Sequence, residues 1–157
     1  CWGMQVAVTA AGGQVKKADN SHIGIANEIE INKNGIKHPL YKNKDKKFNS
    51  PAFNFDEVVK IPDKGICLAS NKINKVQGLY FEVNKTKIWG LQYHPEITYE
   101  KMINLIEFRK ERLIESRKVF KDDTEVQKHI AFIKKEISVS DKEKRMLELK
   151  NWLNELN

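Results

Sequence analysis

Apolar and polar positions change rhythm near Pro95, and the change divides the chain in two. Before it, short apolar runs alternate with turn residues. Residues 3–11 (Gly-Met-Gln-Val-Ala-Val-Thr-Ala-Ala) predict a short buried helix, and Gly12-Gly13 supplies the glycine stop common at helix C-termini. Residues 23–31 alternate apolar and polar side chains, as a half-buried strand does. Asn34-Gly35 marks a turn, and His38-Pro39-Leu40-Tyr41 opens a lysine-rich loop. Strands are predicted over 53–59 and 66–69. Two more, over 76–83 and 87–93, are joined by Asn84-Lys85-Thr86 in a predicted hairpin. The last strand would deliver His94 to its carboxyl end, where loops carry chemistry in open α/β sheets.

Beyond Pro95 the period becomes helical. Met102, Ile103, Ile106, Leu113 and Ile114 share one face of a helix predicted over 99–118. Val126, Ile130, Ile133 and Ile137 do the same after Asp122-Asp123. Ser140 with Glu143 three positions on has the form of a capping box. It would open a third helix whose apolar side carries Met146, Leu149, Trp152, Leu153 and Leu156. The pattern predicts an α/β protein with a strand-rich part and a helical C-terminal extension, the boundary drawn between 1–118 and 119–157.

A chain of 157 residues accommodates one domain with a real core. The 40% hydrophobic and 31% charged fractions fit a soluble globular protein. No apolar run approaches the roughly 18 residues a membrane span needs, and residues 1–15 lack the layout of a signal peptide. No membrane partner is expected. Cys1 and Cys67 make no disulfide framework, which suits a reducing, cytoplasmic setting. The net charge of +7, from 28 basic and 21 acidic residues, raises nucleic acid as a partner. The lysines are scattered, however, and no zinc-ligand spacing or aromatic RNA-binding strand accompanies them, so nucleic acid is not the partner expected. Residues 42–47, the densest basic run, read as a solvated loop.

Two stretches carry chemistry. Cys1-Trp2-Gly3-Met4-Gln5 has the form of the second half of a nucleophile elbow. A thiol at a helix N-terminus meets the positive end of the backbone dipole, which favours thiolate. The backbone nitrogen of Trp2 would point to the same place as an oxyanion donor, and Gly3 would let the helix pack closely against the strand that should precede the elbow. In Gln92-Tyr93-His94-Pro95-Glu96 an apolar strand ends in an imidazole and a carboxylate two residues apart. Pro95 fixes the turn between them, so Glu96 can hold one ring nitrogen and leave the other as base and then acid. Singly, a buried Cys is often inert and a lone His or Glu structural. Together they are the parts of thiol acyl transfer.

On these residues the chain resembles the class I, or triad, glutamine amidotransferases. Their elbow, Gly-x-Cys-x-Gly-x-Gln, is matched at Cys1, Gly3 and Gln5; their Gly-x-Gln-x-His-Pro-Glu motif is matched at Gly90, Gln92, His94, Pro95 and Glu96. Within the family it is similar to the amidotransferase half of GMP synthetase, through Ala-Val-Thr-Ala-Ala-Gly-Gly at 7–13, Gly-Ile-Ala at 24–26 and a basic helical tail reaching Leu153. The resemblance implies a partial flavodoxin-like sheet whose front strands, lying before the nucleophile, are absent from this sequence. It implies hydrolysis of the side-chain amide of L-glutamine without cofactor or metal, the ammonia passing to an acceptor on a separate synthetase or other chain. Cys1 would attack the amide, His94 would move protons, and Glu96 would orient His94. Gln5 would help seat the substrate, with main-chain groups around Phe53 to Phe55 lining the same pocket.

Two departures qualify the match. Where relatives often carry a His beside a small residue, this chain has Asn54-Phe55 before Asp56-Glu57-Val58, and Phe55 would narrow the pocket. The family's glycine-rich loop that donates a second oxyanion hydrogen bond lies before the elbow. Loss of such a donor lowers turnover by about 10²–10³, so activity is expected of the full-length parent and not of this segment alone. Three other readings stand beside the main one: an N-terminal nucleophile hydrolase using the α-amino group of Cys1, a γ-glutamyl amide or peptide hydrolase of the same fold, and a non-catalytic binding module.

Overall fold

The computed structural model describes residues 1–156. Helix α1 (Trp2–Ala10) buries Met4, Gln5 and Val8, one stripe at helical spacing. It stops at Ala11, where Gly12 adopts a φ of +82° and donates to the carbonyl of Thr9. The predicted strand over 23–31 is two strands. A long β1 (Gln14–Ile23) turns at Gly24 into β2 (Ala26–Ile31). Gly24 sits at φ +83°, and a Cβ there would lie 2.6 Å from Ile133 and 2.8 Å from Ile106, so the corner needs glycine on both counts. β1 gave no periodic signal because only Ala18, His22 and Ile23 are buried along it, and its register is interrupted between Lys17 and His22.

Asn34-Gly35 lies inside a helical turn, α2 (Lys33–Lys37), where the Asn32 side chain accepts from both their backbone nitrogens. A 3-10 turn over Pro39–Tyr41 follows. The lysine-rich loop then contains a strand, β3 (Lys47–Ser50), and is not wholly solvated, because the Lys44 side chain is buried. The remaining strands are β4 (Phe53–Lys60), β5 (Ile66–Ser70), β6 (Gly78–Val83) and β7 (Thr86–Leu91). β6 and β7 form the predicted hairpin, with Asn84 and Lys85 both at positive φ as a two-residue type I′ turn requires. β1 pairs with β4, and the other five strands form an antiparallel sheet in the order β3-β2-β5-β6-β7.

Helix α3 (Tyr99–Phe108), capped by Thr98, gives way to a π-helical turn over Arg112–Ser116. Helix α4 (Asp123–Val139) starts at Asp122, whose side chain accepts from the nitrogen of Glu125. The third predicted helix is two short ones, α5 (Lys142–Arg145) and α6 (Leu147–Asn154). Asp141, not Ser140, caps α5, its carboxylate accepting from Glu143 and Lys144. On α6 the buried residues are Glu148 and Asn151, while Trp152, Leu153 and Leu156 of the expected apolar side are largely exposed.

Three apolar clusters hold these layers. Met4 and Val8 of α1 pack with Val58 of β4 and with Leu79 and Phe81 of β6, so α1 lies between the two sheets. Ile29, Ile31, Leu68 and Tyr93 centre a second cluster on the five-stranded sheet. Ile23 and Ile25 join Tyr99, Ile106, Leu113, Val126, Ile130 and Ile133 in the third, which crosses residue 118 without a break. The protein is α/β, with curled antiparallel strands packed on the buried stripe of the first helix and a helical C-terminal part. Among the described residues no helix is long and apolar enough to cross a membrane.

Candidate active site

Cys1 occupies the N-cap of α1, next to the first backbone N–H groups of the helix, which lack intrahelical acceptors, and its side chain makes no capping hydrogen bond to them. Its backbone nitrogen donates to the carbonyl of Leu91 at the end of β7, which ties the start of the helix to the strand leading to His94. Gly90 makes this approach possible: a Cβ there would lie 2.5 Å from Cγ of Met4. At Gly3 a Cβ would meet nothing within 4 Å among the described residues.

The sulfur lies 3.8 Å from the carbonyl of Phe53 and 3.8 Å from Nε2 of Gln92. Gln5 is buried beneath it, with Nε2 3.0 Å from the carbonyl of Asp56 and 3.5 Å from Oε1 of Gln92. Gln92 also reaches the Asp56 carbonyl, at 3.4 Å. Two motif glutamines therefore converge on one β4 carbonyl under the thiol. The direct contact of Gln92 with sulfur goes beyond the roles assigned from sequence. Its place in the His-Pro-Glu motif was the available signal.

Nδ1 of His94 is 2.7 Å from Oε1 of Glu96. An ionised carboxylate can only accept, so Nδ1 carries the proton and Nε2 is left free for chemistry. Partial burial pushes the Glu96 carboxyl up, yet hydrogen bonds and the nearby imidazole outweigh it and hold the group below its ordinary range. The loop is pinned by the His94 nitrogen donating to Pro51 and the Ile97 nitrogen to His94, at 2.7 and 3.2 Å.

Cys1, His94 and Glu96 line one open cleft, with Gly3, Trp89, Gly90, Tyr93 and Leu149 among its other walls. Ninety-odd positions apart in sequence, Cys1 and His94 come to line the same cleft. The Trp2 side chain is 75% exposed and stands outside this cleft, leaving only its backbone near the thiol. Phe53 and Phe55 point the other way. Their rings meet edge to face at 5.8 Å, lie under the Arg109 and Arg117 guanidinium groups, and pack on the helical core. The ring of Phe55 therefore does not narrow the cleft beside Cys1; what β4 presents there is the Phe53 carbonyl. Among the described residues no group of three or more His, Cys, Asp or Glu is arranged to hold a metal ion.

Comparison with known proteins agrees with the two motifs. The family model for glutamine amidotransferase class-I matches residues 1–110. A gamma-glutamyl-L-1-hydroxyisopropylamide hydrolase from a Pseudomonas species is 36% identical over 102 residues, covering 62% of this chain and 34% of that protein. A glutamine-hydrolyzing GMP synthase subunit of Methanocaldococcus jannaschii is 33% identical over 107 residues, covering 68% of this chain and 53% of its own. Among solved structures, a glutamine amidotransferase from Thermotoga maritima superposes with a TM-score of 0.68 at 18% identity, over 99% of this chain and 59% of that one. The chain thus spans 34% and 53% of these two sequence relatives and 59% of the structural one.

Proposed function

The chain belongs to the class I glutamine amidotransferases, and we propose that it carries their hydrolytic site, with Cys1 as nucleophile, His94 as proton carrier and Glu96 as its orienting partner. The observation that bears most weight is the cleft lined by the three residues, with Nδ1 of His94 2.7 Å from Glu96. The Cys1 thiol gives its proton to Nε2 of His94 as the sulfur adds to the side-chain amide carbon of L-glutamine. The negative oxygen then faces the α1 amides, of which the Trp2 N–H is the assigned donor. As the C–N bond breaks, Nε2 of His94 gives its proton to the departing nitrogen, releasing ammonia and leaving a thioester. His94 next takes a proton from water, whose oxygen attacks the thioester and frees glutamate and the thiol. Gln5 supports substrate seating from below, through Gln92 and the Asp56 carbonyl. The ammonia serves an acceptor on a separate chain, a reading supported by the Methanocaldococcus relative, which is named as one subunit of a synthase.

The test is ammonia release from glutamine by the full-length protein. Cys1→Ser and His94→Ala are each expected to reduce kcat by at least about 10³-fold. A His94→Ala protein that keeps its activity would overturn the triad and favour the α-amino group as base. A second reading, hydrolysis of γ-glutamyl amides, rests on the Pseudomonas relative, which is named for such a substrate. Competition between glutamine and γ-glutamyl alkylamides, read as relative kcat/KM, separates the two.

A further inference from the structure

The residues flanking His94 are held from the C-terminal extension. Arg145, at the end of α5, donates through Nη1 to the carbonyl of Pro95 and, at 2.8 Å, to that of Ile97. These two carbonyls bracket Glu96, one residue on either side. On the other flank, the fully buried Tyr93 hydroxyl donates to Oε1 of Glu148 on α6 at 2.6 Å. Glu148 is itself wholly buried, and its other oxygen pairs at 2.9 Å with Lys44, whose side chain is only 5% exposed. Next in sequence, Leu149 forms part of the wall of the cleft that holds Cys1 and His94. Nη1 of the planar guanidinium holds its two hydrogens in fixed directions, one toward each carbonyl, so it sets direction as well as distance. The extension therefore grips the His94 loop from both sides with its strongest available contacts.

From this we infer that Arg145 and Glu148 are positioning residues for the His94–Glu96 pair, so the C-terminal extension is a working part of the site and not only a cover for the sheet. The inference rests on the triad reading above. Neither residue touches the cleft's reacting groups; each acts through the backbone or ring of a neighbour of His94.

Arg145→Met in the full-length protein is expected to lower kcat for ammonia release from glutamine by about 10–100-fold with KM nearly unchanged, the effect of moving a reacting group by roughly 1 Å. Arg145→Lys keeps the charge but not the fixed N–H directions of Nη1, and is expected to fall between. A second readout does not depend on turnover: the Nδ1 proton of His94, held by Glu96, is expected to give a downfield imidazole resonance that Arg145→Met loses to solvent exchange. If the unaltered protein releases no ammonia, the catalytic reading fails and the resonance alone decides positioning. A folded Arg145→Met protein with unchanged kcat and an unchanged His94 resonance overturns the inference, whatever happens to its melting temperature. Should Arg145→Met not fold, Arg145→Lys decides by the same readouts.

Discussion

Behind the nucleophile the buried polar side chains are neutral, with Asn74 donating to the half-buried Glu57 carboxylate at 3.1 Å, whereas behind the histidine they are ionic. On the first side, His22 accepts at Nε2 from Gln77 at 2.9 Å, with the Asn71 amide 3.4 Å away. Asn54 donates to Asn74 at 3.2 Å and to the Asp56 carbonyl at 3.1 Å, the same carbonyl that receives Gln5 and Gln92. On the second side, Lys44, Glu148, Tyr93 and Tyr41 form a chain closed by a 3.1 Å contact between the two tyrosine hydroxyls. The two networks fail differently. A neutral cluster tolerates the loss of one amide and is sensitive to proton uptake. An ionic one depends on both charges being present, since a buried charge left alone is far more costly than a buried amide left alone.

The largest expected effect breaks the ionic side. Glu148→Ala strands the Lys44 ammonium, and the expected loss is about 3–5 kcal/mol in urea unfolding. Lys44→Met combined with Glu148→Leu is expected to recover most of it. Equal losses for the single and the double variant would show that the pair behaves no differently from the amides.

Next comes the acid response of the neutral side. Burial lowers the pKa of His22 from 6.5 to about 4. Between those values the unfolded chain binds a proton that the native protein refuses, so native stability is complete above pH 6.5 and declines as pH falls. By the time pH has passed through 4, about 3 kcal/mol is gone. His22→Gln is expected to flatten this part of the stability–pH curve, and an equally steep curve in the variant would remove His22 as its cause. The smallest effect is Asn54→Ala, which removes the donor to Asn74 Oδ1 while the Asp56 carbonyl keeps Gln5 and Gln92. It is expected to cost about 1–2 kcal/mol at any pH from 5 to 8, read as a shift in the denaturation midpoint.

This contrast also marks how far the sequence could be read. The paired motifs predicted Cys1, His94 and Glu96, and local turn chemistry predicted the Asn84-Lys85 hairpin, because these depend on spacing along the chain. The helical face with Met102, Ile106, Val126, Ile130 and Ile133 was equally readable, its burial following the 3.6-residue period. Lys44 was hidden inside a basic run: its partner Glu148 lies 104 positions away, and nothing local distinguishes it from the exposed lysines around it. For the same reason α6 looked apolar on the wrong side. Its buried face carries Glu148 and Asn151, the latter donating to the carbonyls of Leu40 and Lys42 at 2.9 Å each. β1 was silent because a strand with few buried positions has no alternation to display. Phe53 and Phe55 occupy the right segment, but strand alternation turns their rings toward the helices and leaves the backbone to face the thiol.

Gly90 gives the site an unusual kind of fragility. It takes part in no bond-making step, yet the depth at which the first helix settles depends on its having no side chain. A single methyl group at that position would act as a shim under Met4, prising the helix off the strand and swinging the sulfur away from its partner. All the reacting groups would remain in place chemically, at the wrong separation.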